Sequence, residues 1–146
     1  MHYFDTSFLV PLILPEATSE PIARFFQDLR AESMAVSHWT RVEFSSLLAR
    51  EVRMGGLSAE AAREADAQFE SMVEESLTVI LPNSKDFDLA KAYLGRYETG
   101  LRAGDALHLA VARYHGAEAI FSLDKALLRA GQILDVQVSA GIGLPG

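Results

Sequence analysis

Four acidic residues stand at positions where carboxylates could act together. Asp5 closes the short apolar run "HYFD", Asp124 follows the run "AEAIFSL", Glu43 stands between apolar residues in "RVEFSS", and Asp105 begins "DALHLAVARYHG". Four carboxylates that converge repel one another and cost stability unless a cation binds between them. Ligation by oxygen atoms alone selects a hard metal ion such as Mg²⁺ or Mn²⁺, which can orient a water molecule and neutralise charge on a phosphodiester. The pattern therefore predicts metal-assisted hydrolysis if the fold brings these residues together.

The chain alternates short β-like runs with longer helical patterns, and these elements must position the acids. The strand candidates are residues 2–5, 35–37, 78–81, 119–123 and 134–138. Helices are predicted over residues 19–31, 38–54, about 58–77, about 84–97 and 104–114, with Ser19 and Ser58 as N-caps and Gly116 as a C-cap. This alternation predicts an α/β fold, a three-layer α/β/α sandwich with a mostly parallel central sheet. We expect a single domain over residues 1–140 and a loosely ordered tail over residues 141–146.

A parallel sheet would bring the acids to one edge. Asp5 and Asp124 would both emerge at strand carboxyl ends, where open α/β sheets bind ligands near the point at which the strand order switches. Glu43 lies near the start of a helix that directly follows a strand, and its apolar flanks indicate an inward-facing side chain. Asp105 would lie at the positive end of a helix dipole.

Each acid also has a purely structural interpretation. Asp5 and Asp124 are suited to begin Asx turns, and Asp105 is suited to cap a helix. Glu43 could form a surface salt bridge with a nearby arginine such as Arg41. Shared chemistry is favoured because all four acids occupy matching places in the α/β pattern.

The composition excludes several classes of protein. The chain of 146 residues is 49% hydrophobic and has a net charge of -7, which argues against a broad basic surface for gripping nucleic acid. It contains no cysteine, so disulfides, thiolate metal sites and thiol nucleophiles are excluded. No apolar run approaches the roughly 20 residues that span a bilayer, and no basic segment precedes the run at residues 8–14. We therefore expect a cytoplasmic protein without a membrane partner.

The sequence motifs resemble those of the PIN domain. "FDTS", a mid-chain "VE", "AGDALHLA" and "FSLDKAL" follow one another in the family's order and at similar spacing, from Tyr3 to about Val138. The length and single-domain layout are similar to those of VapC-type toxins from VapBC toxin-antitoxin systems. The resemblance implies a PIN-like fold and a Mg²⁺- or Mn²⁺-dependent endoribonuclease that hydrolyses RNA phosphodiester bonds.

The resemblance also implies a role for each of the four acids. Asp5 and Asp105 would bind the metal ion directly, and Asp124 would contribute to the metal site, often through water. Glu43 would complete the catalytic set. Whether one or two ions act is left open.

Neighbouring polar residues are expected to support the acids. The resemblance implies a hydroxyl beside the first acid, Thr6 or Ser7, and another at Ser122, where threonine is frequent. Thr6 and Ser7 either bond Asp5 or the scissile phosphate, or they form turns. Arg102, close to Asp105 in sequence, is the best candidate for a contact with substrate.

Two further residues have alternative interpretations. His108 follows Asp105 by three residues, so it either completes an Asp/His metal pair or is a packed, hydrogen-bonded histidine. Trp39 belongs either to the core or to a platform on which bases stack.

The expected partners are an RNA substrate, a second copy of the chain and a VapB-type antitoxin. The last two are implied by the resemblance, in which an antitoxin segment places a basic side chain in the acidic pocket. The run "SFLVPLIL", with Phe25 and Phe26, is more apolar than a loop requires and predicts a groove or a self-association face. An acidic toxin and a basic antitoxin would also attract each other.

Two other functions compete with the nuclease. A non-catalytic PIN-like module would bind RNA or protein and keep the acids without using them. A phosphoaspartyl enzyme or receiver domain would also place an acid after its first strand, but it would normally want a second acid beside Asp5, which "DTSFL" does not supply.

Overall fold

A computed structural model describes residues 1–29 and 33–144. The elements in chain order are β1 (His2–Phe4), α1 (Thr6–Ile13), α2 (Ser19–Asp28), β2 (Met34–Ser37), α3 (His38–Arg53), α4 (Ala59–Ser76), β3 (Thr78–Ile80), α5 (Ser84–Leu94), a 3₁₀ turn (Tyr97–Thr99), α6 (Ala103–Tyr114), β4 (Ala119–Phe121), α7 (Lys125–Leu134) and β5 (Val138–Ser139). None of the helices in these residues combines the length and the apolar character needed to cross a membrane.

The strands form one sheet in the order β3-β2-β1-β4-β5, and every neighbouring pair is parallel. The central strand β1 sets Tyr3 opposite Ala35 on one side and Ile120 on the other. The chain builds the sheet outward from β1 in one direction and then in the other, so the strand order switches between β1 and β4. Receiver domains use the order 2-1-3-4-5 instead, which argues against that alternative.

Two hydrophobic cores cover the two faces of the sheet, because successive strand side chains point in opposite directions. Tyr3 and Ile120 face α5, α6 and α7, whereas Phe4 and Phe121 face α1 to α4. The predicted three-layer α/β/α sandwich is therefore confirmed.

Helix α1 is absent from the sequence prediction, which treats residues 8–14 only as an apolar run. Phe8, Leu9 and Val10 are consecutive and all buried, and Pro11 lies within the helix. A helix that is apolar on nearly every side shows no 3.6-residue alternation of polar and apolar residues. The alternation on which the prediction of a helix depends is therefore missing from this segment.

Helix α7 is also missing from the prediction, and the strand predicted over residues 134–138 is displaced. Leu134 ends the helix, Asp135 adopts a left-handed conformation with φ of 55°, and β5 begins only at Val138. Gly131 lies inside α7, where an added Cβ would clash with the side chain of Val138. The glycine is needed for this close approach and does not break the helix.

Element boundaries agree in part with the prediction. Ser58 caps α4 by accepting a hydrogen bond from the Ala61 N–H, and Gly116 follows α6 with φ of 79°. Ser19 is the first residue of α2 and does not cap it, and helix α5 ends at Leu94 before the predicted residue 97. Residues 30 and 31 of the helix predicted over residues 19–31, and residues 145 and 146 of the predicted tail, lie outside the described residues.

Candidate active site

Asp5 begins the site because it leaves β1 and caps α1. Its Oδ1 accepts hydrogen bonds from the Phe8 N–H at 3.1 Å and from Ser7 Oγ at 2.7 Å, and its Oδ2 accepts one from Ser122 Oγ at 2.6 Å. The side chain is almost fully buried, and burial raises the pKa of Asp5 although these hydrogen bonds and the nearby His108 lower it. Capping a helix and contributing a carboxylate to the site are therefore compatible roles for Asp5.

Ser7 and Ser122 connect Asp5 to the turn that carries Asp124. Each hydroxyl donates to the Asp5 carboxylate and accepts from a backbone N–H, that of Leu123 for Ser7 and that of Asp124 for Ser122, both at 3.0 Å. The loops that follow β1 and β4 are thereby tied to each other at the switch point of the sheet.

Glu43 is held from two sides on the second turn of α3. Its Oε1 accepts hydrogen bonds from Thr6 Oγ1 at 2.7 Å and from His108 Nε2 at 2.5 Å. Burial raises the pKa of Glu43, but the hydrogen bond and charge of His108 and the hydrogen bond from Thr6 outweigh it, so the pKa lies below its usual value. Glu43 is consequently ionised at neutral pH.

The predicted alternatives for these residues are now distinguishable. Thr6 bonds Glu43 and leaves Asp5 to Ser7. His108 is a packed, hydrogen-bonded histidine that contacts Glu43 rather than Asp105. The salt bridge between Glu43 and Arg41 does not form, because Arg41 binds the carboxylate of Glu70 through two nitrogens.

Asp105 and Asp124 complete the pocket with far fewer partners. Asp124 caps α7, and its Oδ1 accepts from the Ala126 N–H at 2.8 Å. Asp105 lies in the first turn of α6, and none of the described residues donates a hydrogen bond to its carboxylate. Burial, followed by the charges of Asp124, Glu43 and Asp5, raises the pKa of Asp105 to about 6, although His108 opposes this.

The four acids thus line one cleft of about 230 Å³ at the carboxyl edge of the sheet, which we call the acidic pocket. Its lining residues are Asp5, Thr6, Ser7, Val10, Glu43, Leu47, Asp105, His108 and Asp124. Every acid singled out from the sequence is present. Sequence reasoning missed Tyr3 and Gly104, which lie behind Glu43 and carry no charge that would mark them.

The donor set suits a hard cation, although it is not a finished metal cage. In residues 1–29 and 33–144, no three histidine or carboxylate side chains are arranged so that they could enclose an ion. Mg²⁺ requires no such cage, because it keeps several waters and binds through one or two carboxylates. The oxygen-only donors of Asp105 and Asp124 and the mutual repulsion that raises the Asp105 pKa both fit such an ion.

Comparisons with known proteins identify the family and the fold of the chain. The sequence model of the PIN domain matches residues 2–133. VapC20 of Mycobacterium tuberculosis, described as a sarcin-ricin loop cleaving toxin, has 23% identity and a TM-score of 0.72 over 90% of this chain and 95% of its own. FitAcB from Neisseria gonorrhoeae has 16% identity and a TM-score of 0.68 over 97% and 98% of the two chains. VapBC-1 from nontypeable Haemophilus influenzae has 16% identity and a TM-score of 0.66, also over 97% and 98%.

These structures share the fold of the chain. No curated protein sequence matches the sequence of the chain. The family match covers both strands that lead into the acidic pocket and all four of its acids. The chain therefore belongs to the PIN domain family.

Proposed function

We propose that the protein is a Mg²⁺- or Mn²⁺-dependent endoribonuclease, the VapC-type toxin of a type II toxin-antitoxin pair, acting in the cytoplasm. The observation that carries the proposal is the convergence of four carboxylates at the switch point between β1 and β4. Such a concentration of negative charge lowers stability unless a cation binds there. The PIN family and the VapC and VapBC structures of similar fold support the proposal.

Asp105 and Asp124 would hold the metal ion together with Asp5. Their carboxylates have the fewest competing hydrogen bonds in the pocket, whereas Asp5 is anchored by Ser7 and Ser122. A bound divalent ion would supply charge neutralisation at the scissile phosphate and would lower the pKa of a bound water molecule.

The remaining residues of the pocket would handle the proton and the substrate. Glu43, ionised and held by Oε1, has Oε2 left to accept a proton from the attacking water. Arg102 precedes Asp105 at the start of α6, is exposed and forms no ion pair with another described residue, so it is available to an RNA phosphate.

The test is cleavage of a total small-RNA pool by the purified, partner-free protein in Mg²⁺, in Mn²⁺ or in EDTA. We expect discrete fragments that require the metal and disappear in Asp105→Asn. Asp88→Asn, which removes an exposed carboxylate on α5 outside the pocket, is the matched control and should cleave normally. Fragments that persist in EDTA or in Asp105→Asn would contradict the proposal.

The non-catalytic module remains the competing function, and the same preparation distinguishes it. A binding module would leave the RNA pool intact while retaining affinity for RNA or for a protein partner. It would also show no rise in melting temperature on addition of Mg²⁺ or Mn²⁺. An intact RNA pool together with an unchanged melting temperature would favour the binding module over the nuclease as the function of the protein.

A VapB-type antitoxin is the proposed protein partner, and an apolar cleft of about 300 Å³ suits one of its segments. The cleft includes Leu9 and Leu12 of α1 and Phe26 of α2, within the region for which the sequence predicts a groove. Helix α1 also contributes Val10 to the acidic pocket, so an extended segment that follows α1 from the cleft could reach the acids with a basic side chain. Leu12→Glu should weaken capture of the neighbouring gene's product without slowing RNA cleavage.

A homodimer is proposed through a second apolar surface on α3 and α5. Val42 and Phe87 are more than half exposed there and border a cavity of about 460 Å³ that Trp39 also lines. Exposed apolar surface of this kind is typical of protein interfaces. Phe87→Glu should convert a dimer to a monomer in light-scattering measurements, and a wild-type monomer would exclude the dimer.

A further inference from the structure

Behind the acidic pocket, a chain of buried hydrogen bonds ends on Glu43. His108 Nε2 contacts Glu43 Oε1 at 2.5 Å, the other ring nitrogen of His108 contacts the Tyr3 hydroxyl at 2.7 Å, and that hydroxyl contacts Ser37 Oγ at 3.0 Å. Tyr3 and Ser37 are fully buried and His108 is 2% exposed. Tyr3 and Ser37 therefore lie beneath the pocket, and His108 lines it with very little of its ring exposed to an RNA substrate.

The direction of one bond in this chain follows from chemistry. An ionised carboxylate only accepts hydrogen bonds, so His108 must carry a proton on Nε2 and donate it to Glu43. Tyr3 holds the ring at Nδ1 and fixes its rotation about the Cβ–Cγ bond. The orientation of the His108 Nε2–H donor therefore depends on the Tyr3 hydroxyl, which is two hydrogen bonds away from Glu43.

The network also returns to the helix that carries Glu43. Ser37 is the N-cap residue of α3, where its N–H donates to Thr40 Oγ1 at 3.2 Å, and Glu43 lies six residues later. Hydrogen bonds through Tyr3 on β1 and His108 on α6 connect these two positions. The beginning of α3 is thereby braced against both the central strand and α6.

We propose that His108 and Tyr3 are positioning residues that hold Glu43 by Oε1, so that Oε2 is its only oxygen available to a water molecule. The hydrogen-bonded arrangement stands on the geometry alone, whereas its role in cleavage rests on the proposed function. Gly104 makes room for this placement, because a Cβ there would come within 2.8 Å of Glu43 Oε2.

The first test compares Tyr3→Phe with Glu43→Gln and with the double variant. The substrate is a fluorophore-quencher RNA oligonucleotide that contains every dinucleotide step, in Mn²⁺. We expect Tyr3→Phe to lower kcat by about tenfold with KM unchanged, because residues that orient an active-site group typically contribute about 10–100-fold. In the Glu43→Gln background the same change should alter kcat by less than about twofold.

Tyr93→Phe is the matched control, since Tyr93 is another buried tyrosine, on α5, outside the network. It should keep the wild-type kcat. Equal effects of Tyr3→Phe with and without Glu43 would mean that Tyr3 does not act through Glu43 and would overturn the inference. A raised KM with unchanged kcat would do the same.

His108→Leu removes both hydrogen bonds of the ring and should lower kcat more than Tyr3→Phe. Its folding is checked by circular dichroism, and Tyr3→Phe decides the matter if His108→Leu does not fold.

An NMR measurement without RNA separates this inference from the proposed nuclease activity. In ¹⁵N-labelled protein, we expect the ring signals of His108 to show a proton on Nε2 and to change in both Tyr3→Phe and Glu43→Gln, but not in Tyr93→Phe. If these changes appear while the wild type cleaves no RNA, the network stands and the nuclease proposal fails. If the wild type cleaves RNA and the His108 ring signals are unchanged in Tyr3→Phe and in Glu43→Gln, the positioning role is wrong and the nuclease proposal survives.

Discussion

The two halves of the acidic pocket are built differently. Asp5 and Glu43, which we call the braced pair, accept five hydrogen bonds from side chains and backbone through three of their four oxygens. Asp105 and Asp124, the open pair, accept one hydrogen bond in the described part of the chain, from the Ala126 N–H. Both pairs lie in the same cleft and carry the same formal charge.

The difference shows which carboxylates the fold satisfies by itself. The braced pair is fixed by groups from α1, from the turn after β4 and from α6, so its position is set when the chain folds. The open pair has no comparable set of donors, and the charges of the other acids help to raise the pKa of Asp105. We infer that the open pair depends on a ligand from solution for its compensation.

The largest expected effect is stabilisation by a divalent ion. A ligand at a hundredfold excess over its dissociation constant stabilises the folded state by about 2.7 kcal/mol. We expect Mg²⁺ or Mn²⁺ to raise the melting temperature of the wild type and to have little effect on Asp105→Asn, measured by differential scanning calorimetry. An equal rise in both proteins would place the ion outside the open pair.

A substitution in the braced pair should destabilise the fold. Asp5→Asn keeps an N-cap oxygen but replaces the other carboxylate oxygen by an NH2 group, which leaves one of the Ser7 and Ser122 hydroxyls without its acceptor. We expect a loss of about 1–2 kcal/mol in the free energy of unfolding, because this loss outweighs the relief of the burial that raises the Asp5 pKa. Urea denaturation in EDTA measures it. An unchanged midpoint would show that these hydrogen bonds contribute nothing net.

The same substitution in the open pair should have the opposite sign. In EDTA at pH 8, Asp105→Asn removes a carboxylate that three neighbours repel and that receives no hydrogen bond from the described residues. We expect a gain of about 0.5–1 kcal/mol, which is modest because the group is partly exposed to solvent. A loss of stability would show that Asp105 is satisfied in a way that the hydrogen bonds do not reveal.

The smallest effect is the pH dependence of that gain. The pKa of Asp105 in the folded protein is about 6, above its ordinary value of 3.8, so between these values the folded state binds the proton that the unfolded state releases. The destabilisation by the ionised carboxyl is therefore present above pH 6 and is lost as the pH falls towards 4. The advantage of Asp105→Asn in EDTA should shrink between pH 8 and pH 5, and a constant difference would contradict the raised pKa.

The convergence of the acids could be predicted from sequence because strand ends fix it. Asp5 and Asp124 follow the two strands on either side of the switch point, and the parallel sheet leaves only one edge at which they can meet. The positions of Glu43 and Asp105 could be predicted as well, because each lies near the start of a helix at that same edge.

The support behind the acids could not be predicted. Tyr3 in a strand and His108 in an apolar helix have the sequence surroundings of ordinary core residues, and 105 positions separate them. Nothing local indicates that their rings meet. Helix α1 was missed for a related reason, since a run in which Phe8, Leu9 and Val10 are all buried has no polar face to mark its period.

The hydrogen bond between Ser122 and Asp5 joins residues 117 positions apart, and it has a consequence for synthesis on the ribosome. The central strand β1 emerges first, yet its partner β4 and the residues that complete the acidic pocket are made only after four fifths of the chain. Long-range pairing of this kind forms late. A chain cut short before residue 119 therefore cannot assemble the pocket, so the nuclease we propose would acquire its active site only late in its own synthesis.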